Sequence, residues 1–341
     1  MNKSRRLWLS LVIVLPLLLA AGWWLLREPA PAPVKLRFAA TYFLGEMLSF
    51  VAYDKGYFRE QGLEIELSYS TTGWQSLKRL FEGQADVATV AQLPVVYAAL
   101  DRRKYTPEPV GDFAVVADLT VANRAQAGVA RRDRGIRSPA DLRGKTVGLP
   151  QGTTADFFLD SMLRRNGLSD ADVKQVNIDV TRLGAAISGG EVDAVLGWQP
   201  HSAAALESLG DNGVLLDVGY RYPSGWLVVF MKDYLRAHPG VADRFLRAMA
   251  RAEVFVHERP DEARQILARH LKTDLATVER GMVDIGVKLS LSESLLVTLE
   301  EQARWAIRRG LSPQQTPPNL LDYFDQGPLR RVKPDGITLA Q

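Results

Sequence analysis

The amino-acid sequence predicts an α/β protein of two lobes, with an apolar helix at its N-terminus and a helical annex at its C-terminus. Strand and helix patterns alternate in two successive series, and helical patterns follow them. The 341 residues, 47% hydrophobic and 24% charged, are enough for two lobes of α/β size. Such alternation is typical of a largely parallel sheet covered by helices on both faces.

The N-terminal segment has the features of an export signal or a membrane anchor. Basic residues at 3–6 precede an apolar run at 7–26. Twenty helical residues span about 30 Å, the thickness of the hydrocarbon core. An uncleaved anchor and a signal peptide cleaved near residues 20–22 both fit this pattern. The Pro/Ala-rich residues 28–34 would form an extended linker after either one.

Charge and motif content argue against several functions. The net charge of +3 comes from residues 1–33, so the remainder is neutral, whereas nucleic-acid binding requires a basic face. The absence of cysteine excludes disulfides, thiol catalysis and zinc–thiolate sites. The chain also lacks metal-ligand His/Glu spacing, a Gly-x-Ser-x-Gly elbow and a phosphate loop. We therefore predict no metal, no cofactor and no enzymatic activity.

Residues 34–120 are predicted to form the first part of lobe 1. The segment LEIELSYS shows the apolar–polar alternation of a half-buried strand. The predicted order is strand VKLRFAA, helix GEMLSFVAYDKGYFREQG, strand LEIELSYS, helix GWQSLKRLFEGQ, strand ADVATVA, helix LPVVYAALD and strand FAVVADLTV.

The alternation restarts within residues 121–219, the predicted lobe 2. Ser138 and Pro139 have the residue types of a helix cap and a first turn. Helices TADFFLDSMLRRNG, RLGAAISGG and PHSAAALESLG separate the strands AGVARR, KTVGLPQG, VKQVNIDV, VDAVLGWQ and GVLLDVG. After a further strand, WLVVFMK, only helices are predicted from Tyr234 onward.

Several segments resemble those of one bacterial protein family. KGYF at 55–58, GLEI at 62–65 and GQADV at 83–87 resemble helix-to-strand steps of its first lobe. DLRGKTVGLPQGTT at 141–154 and VDAVLGWQP at 192–200 resemble segments of its second lobe. The family consists of periplasmic solute-binding proteins that serve ABC importers of aliphatic sulfonates, taurine, nitrate and thiamine-precursor pyrimidines.

The resemblance implies a type II periplasmic-binding-protein fold, in which two lobes close around a ligand by a hinge motion. Lobe 1 would comprise residues 34–120 and 220–341, including the helical annex. Lobe 2 would comprise residues 121–219, and residues 1–33 would be the signal or anchor helix with its linker.

The carboxyl ends of the predicted strands provide the candidate ligand-binding residues, because ligands of α/β sheets bind beyond these ends. Aromatic candidates would form the walls of the pocket, with core packing as the alternative for each. The candidates are Tyr42, Phe43, Thr71, Thr72, Trp74 and Gln92 in lobe 1, Gln151, Gly152, Thr153, Thr154, Trp198 and Gln199 in lobe 2, and Tyr220 at the return crossover.

Residues 152–154 are the predicted anion site. Gly152 lets the backbone approach a ligand closely, and the start of the following helix presents free N–H groups. Such a helix start favours an anion. A plain helix cap by threonine is the alternative, and the resemblance favours the ligand.

We therefore expect an exported substrate-binding component of an ABC importer that binds a small anionic solute, such as a sulfonate, taurine or a nitrate-like ion. Its partners would be this solute, the permease and ATPase subunits, and the inner membrane through the N-terminal helix. It would lie in the periplasm, tethered if the helix is uncleaved and soluble if it is cleaved. Two alternatives stay open: an enzyme of the thiamine-pyrimidine type on the same fold, and a membrane-tethered ligand sensor.

Overall fold

The computed structural model describes residues 33–109, 111–122, 125–216, 224–283 and 285–339. The predicted N-terminal helix and Tyr220 lie outside these ranges. Within them, no helix is both long enough and apolar enough to cross a membrane.

The secondary structure follows the predicted alternation for most of the chain. The strands are β1 (Val34–Thr41), β2 (Leu63–Ser70), β3 (Val87–Ala91), β4 (Phe113–Ala122), β5 (Gln126–Arg131), β6 (Thr146–Leu149), β7 (Lys174–Asn177), β8 (Ala194–Trp198), β9 (Gly213–Leu216), β10 (Trp226–Met231) and β11 (Ile285–Ser290). The helices are α1 (Met47–Asp54), α2 (Tyr57–Glu60), α3 (Gly73–Phe81), α4 (Gln92–Leu100), α5 (Thr154–Arg165), α6 (Leu183–Ser188), α7 (His201–Leu209), α8 (Lys232–Ala237), α9 (Val241–Glu258), α10 (Pro260–Leu271), α11 (Leu275–Met282), α12 (Glu293–Arg308) and α13 (Gly327–Val332).

The strands form two mixed sheets. The first has the order β11-β4-β10-β3-β1-β2 and the second the order β7-β6-β8-β5-β9. The prediction of largely parallel sheets was wrong, because β10 runs antiparallel to β3 and β4, and β5 runs antiparallel to β8 and β9. The amino end of β10 therefore lies beside the carboxyl end of β3. In the same way, the amino end of β5 lies beside the carboxyl end of β8.

Strand β11 corrects a second prediction, since only helices were expected beyond Tyr234. Residues 275–282, which precede β11, have a helical pattern and form α11 as expected. Ile285 and Val287 are β-branched residues, which favour strands. Ile285 and Val287 lie opposite Ala122 and Thr120 of β4, so pairing with an open sheet edge decides the conformation of this segment.

The sheets and helices bury two apolar clusters, a larger one that includes residues of both sheets and a smaller one around α5. Phe38 of β1 and Phe230 of β10 each meet Phe245 of α9 edge to face, with ring centroids 5.4 Å and 5.5 Å apart. Asp86 and Asp193, which directly precede β3 and β8, accept hydrogen bonds from the backbone N–H groups of Arg37 and Thr146. These contacts fix the strands whose opposite ends carry the candidate site.

Helix α12, which packs against α4 beside the first sheet, contacts α5, which follows β6 of the second sheet. Trp305 lies edge to face with Phe157, with ring centroids 5.4 Å apart. Arg309, at the end of α12, donates to the buried Asp160 at 3.2 Å and pairs with Asp170. The two sheets are therefore connected by side chains as well as by the chain itself.

Candidate functional site

A narrow cavity of about 40 Å³ lies where the strand ends of the two sheets meet. Thr41 and Ser70 are paired at the carboxyl ends of β1 and β2, so the loops that follow them leave the sheet at one edge. The lining combines residues after β1, β2 and β3 with residues after β6 and β8. This is the edge at which open α/β sheets bind ligands.

Aromatic rings form much of the cavity wall. Phe43 and Trp226 lie with ring centroids 4.4 Å apart. Trp74 stacks on Tyr105 at 3.9 Å, which holds its indole in place. Trp198, at the end of β8, is buried and lines the cavity from the second sheet. Flat apolar surfaces thus face the cavity from both sheets.

Three buried side-chain oxygen atoms of the lining lack a hydrogen-bond partner within the described residues. They are Thr154 Oγ1, Gln126 Oε1 and Ser224 Oγ. A buried polar group without a partner costs about 1–3 kcal/mol. Their convergence on one cavity indicates a site whose hydrogen bonds are completed by a bound molecule.

The cavity has no charged side chain in its described lining. Two basic groups, Lys272 and Arg280, line a neighbouring groove of about 560 Å³ that shares Thr71 with the cavity. Arg280 is paired there with Glu207 at 3.3 Å. An anion in the cavity would therefore depend on hydroxyl and N–H donors alone.

The predicted anion site at 152–154 is only partly available to a ligand. The Gly152 N–H donates to Asp156 Oδ2 at 2.6 Å, so this group, predicted to be free, is occupied. Thr153 is the helix cap, since its Oγ1 accepts from Ala155 N at 3.2 Å and donates to Pro150 O at 2.6 Å. Thr154 keeps its hydroxyl directed to the cavity without a partner.

Most of the predicted site residues converge on this cavity. Those that line it are Phe43, Thr71, Thr72, Trp74, Gln92, Thr153, Thr154 and Trp198. Those outside its lining are Tyr42, which stacks on Tyr69 and faces the neighbouring groove, and Gln151, Gly152 and Gln199. Tyr220 lies outside the described residues.

The sequence analysis missed the lining residues that come from antiparallel strands. Trp226 begins β10 and lies opposite Ala91, the last residue of β3. Gln126 begins β5 and lies opposite Trp198, the last residue of β8. The carboxyl ends of strands do not include such residues. The available signal in the sequence was a polar residue, Gln126, at the start of an apolar strand.

Two buried acids stand behind the cavity wall. Asp118 Oδ1 accepts backbone N–H groups from Trp226 at 2.8 Å and Thr120 at 3.1 Å, and burial raises the pKa of Asp118 to about 7. Glu46 is fully buried, and its Oε1 accepts a hydrogen bond from Thr41 N at 3.0 Å. Burial raises its pKa as well.

The chain is similar in sequence to a known protein family and to known binding proteins. Residues 46–263 match the protein family described as NMT1/THI5 like. The formylaminopyrimidine-binding protein of Halalkalibacterium halodurans is 30% identical over 225 residues, 64% of this chain and 64% of that protein. The taurine-binding periplasmic protein of Escherichia coli is 26% identical over 212 residues, 61% of this chain and 62% of that protein.

The fold has counterparts among solved structures. The alkanesulfonate-binding protein SsuA from Xanthomonas axonopodis pv. citri, bound to MOPS, is similar with a TM-score of 0.72 and 19% identity. The similarity covers 87% of this chain and 99% of that chain. At this level of identity, the likeness establishes the fold.

Proposed function

Because the chain belongs to the NMT1/THI5-like family, we propose that it is the exported solute-binding component of an ABC importer. The observation that carries the proposal is the cavity between the two sheets, where unpartnered polar atoms and aromatic rings converge. The relatives named above are binding proteins for small solutes, which supports the same role here. The permease and ATPase of an importer would be its partners, and the periplasm its location.

The two sheets would be the cores of two lobes with the predicted bounds, residues 34–120 with 220–341 and residues 121–219. A cavity of about 40 Å³ holds only a few water-sized groups. A larger solute therefore requires the lobes to separate, by a hinge motion at the two chain crossovers. The segment 1–33 would export the protein and either anchor it or be cleaved.

The lining favours a flat, uncharged solute with hydrogen-bonding edges. Trp198 and Trp226 supply apolar faces suited to a ring. The amide of Gln126 offers one donor and one acceptor in either orientation, and the hydroxyls of Thr154 and Ser224 can do both. A heterocycle with ring nitrogens and exocyclic amino or hydroxyl groups meets these requirements together.

A small oxyanion, the solute class predicted from the sequence, is the second candidate. The start of α5 faces the cavity through Thr153 and Thr154, and helix N-termini attract anions. Because the described lining supplies no cation, we expect an anion to bind more weakly than an uncharged ring does.

A thermal-shift panel on the full chain, purified in mild detergent, tests the proposal. The panel contains taurine, alkanesulfonates, nitrate, bicarbonate, dicarboxylates, thiamine pyrimidines and flavins. A ligand at about 100 times its dissociation constant stabilises the folded state by about 2.7 kcal/mol, which raises the melting temperature by several degrees. A rise in melting temperature with heterocycles supports a flat, uncharged solute. A rise with anions alone supports an anion bound at the start of α5. No shift with any solute of the panel would contradict the binding role.

An enzyme on the same fold is the third candidate, although Asp118, the acid with a suitable pKa, stands behind the cavity wall and outside its lining. A carboxyl group whose pKa is raised to about 7 has the value a general acid or base needs at neutral pH. Incubation of the full chain with the solutes that bind, followed by mass spectrometry, separates the roles. Unchanged solute after many hours supports binding, and a product that the Asp118→Asn variant fails to make would support catalysis.

A further inference from the structure

A second cavity, of about 170 Å³, lies on the other side of residues 224–225 from the candidate ligand cavity. We call it the rear cavity, and its floor is formed by Asp118 of β4, Ser290 of β11 and Gly225. Ser224 and Gly225 line both cavities, as do Gln92, Thr120 and Ala122, so the two cavities adjoin along this wall. The proposed solute-binding role makes no use of the rear cavity.

The floor of the rear cavity carries a carboxylate without a counter-charge. Asp118 is only 6% exposed, and its Oδ1 accepts the two backbone N–H groups described above. Across the part of the chain that the structure describes, its hydrogen bonds come from backbone N–H groups, and no side chain donates to Oδ2. This oxygen lies 2.6 Å from the point where a Cβ on Gly225 would stand, so only glycine leaves it room.

The walls and mouth of the rear cavity are polar. Ser290 lies directly opposite Asp118 in the β11–β4 pair, and Thr298 of α12 adds a second hydroxyl. Lys288 and Asp335 stand at the solvent-exposed mouth. Lys288 has no ion-pair partner among the described side chains. The cavity therefore has an acceptor at its floor, hydroxyls along its walls, and one ammonium and one carboxylate group at its mouth.

We propose that the rear cavity binds a small primary amine, with its ammonium group on Asp118 and a hydroxyl or carboxylate group toward Lys288. An ionised carboxylate buried without a cation is costly, and an ammonium group supplies both the charge and up to three hydrogen bonds. Burial already raises the pKa of Asp118, which is the mark of a carboxylate that lacks its counter-charge. A volume of about 170 Å³ admits several water-sized groups, which suits an amino alcohol or a small amino acid.

Isothermal titration calorimetry of the full chain at pH 8, in amine-free phosphate buffer, tests the proposal. The probes are ethanolamine, glycine and tetramethylammonium. Ethanolamine and glycine should bind, whereas tetramethylammonium, which has a charge but no N–H donor, should bind at least tenfold more weakly. Asp118→Asn should weaken ethanolamine binding at least tenfold, and Thr298→Val, which keeps the carboxylate, at least threefold. Asp156→Asn, at a half-buried acid outside both cavities, should leave the affinity unchanged.

Three outcomes would overturn the proposal. Equal affinities of the parent and Asp118→Asn would show that the carboxylate does not hold the amine. Tetramethylammonium or sodium binding as tightly as ethanolamine would show a nonspecific cation effect. Loss of ethanolamine binding in Trp198→Ala, with retention in Asp118→Asn, would place the amine in the other cavity. If Asp118→Asn fails to fold, Thr298→Val still tests the proposal, because it keeps the Asp118 carboxylate. Unchanged ethanolamine affinity in Thr298→Val would then contradict binding in the rear cavity. The readout needs no solute in the ligand cavity, so failure of the proposed function would not alter it.

Discussion

The substitution Thr154→Val separates the stability of the protein from its affinity for a solute. Thr154 is 2% exposed, and its hydroxyl lacks a hydrogen-bond partner within the described residues. A methyl group of the same size removes this unsatisfied polar atom, so the empty protein should gain about 1 kcal/mol in the free energy of unfolding. The same change removes one hydrogen bond to the solute, worth about 1 kcal/mol, so the affinity should fall roughly fivefold to tenfold.

Ser202→Ala is the matched control for Thr154→Val. Ser202 of α7 is also 2% exposed, and its hydroxyl likewise has no partner in the described chain, but it does not line the cavity. It should stabilise the empty protein by a similar amount and leave the affinity unchanged. Urea unfolding gives the first quantity and titration with a solute from the thermal-shift panel gives the second. Unchanged affinity in Thr154→Val, or equal losses in both variants, would refute the placement of this hydroxyl in the site.

Four further substitutions test the site and its surroundings. Trp198→Ala should lower the free energy of unfolding by about 3 kcal/mol and abolish the solute-induced thermal shift; a retained shift would remove this ring from the site. Gly225→Ala should displace the Asp118 carboxylate, costing about 1–3 kcal/mol in urea unfolding and weakening ethanolamine binding, and unchanged binding would contradict the close approach. Arg309→Ala should cost about 1–3 kcal/mol, because it removes one of the two charge partners of the buried Asp160; an unchanged urea midpoint would show that the contact contributes nothing. Asp118→Asn should become increasingly stabilising relative to the parent between about pH 4 and about pH 7. Burial raises the pKa of Asp118 to about 7, so the folded parent keeps a proton that the unfolded chain releases, and its free energy of unfolding falls by about 4 kcal/mol across that window. A difference between variant and parent that is flat with pH would contradict this reasoning.

The sequence was sufficient for the two-series organisation and for part of the candidate site. Thr72, Thr154 and Trp198 follow or end strands whose apolar pattern is local, and their positions depend only on where each strand stops. Because β1 pairs in parallel with β2 and β3, and β6 with β7 and β8, such carboxyl ends meet at one edge of each sheet. Local periodicity and one rule about parallel strands were therefore enough to find these residues.

The direction of strands and the pairing of distant segments were decided by the tertiary structure. Trp226 and Gln126 reach the cavity because β10 and β5 run antiparallel to their neighbours, and no local pattern encodes that direction.

The rear cavity shows the same limit of sequence analysis. Asp118 meets Ser290 across 172 residues of chain, as partners in the β4–β11 pair. The pKa of Asp118, like the free N–H expected at Gly152, depends on which groups the completed fold places around it. Burial and hydrogen bonding depend on how all the elements pack together, whereas the sequence determines by itself the local elements and the side chains they carry.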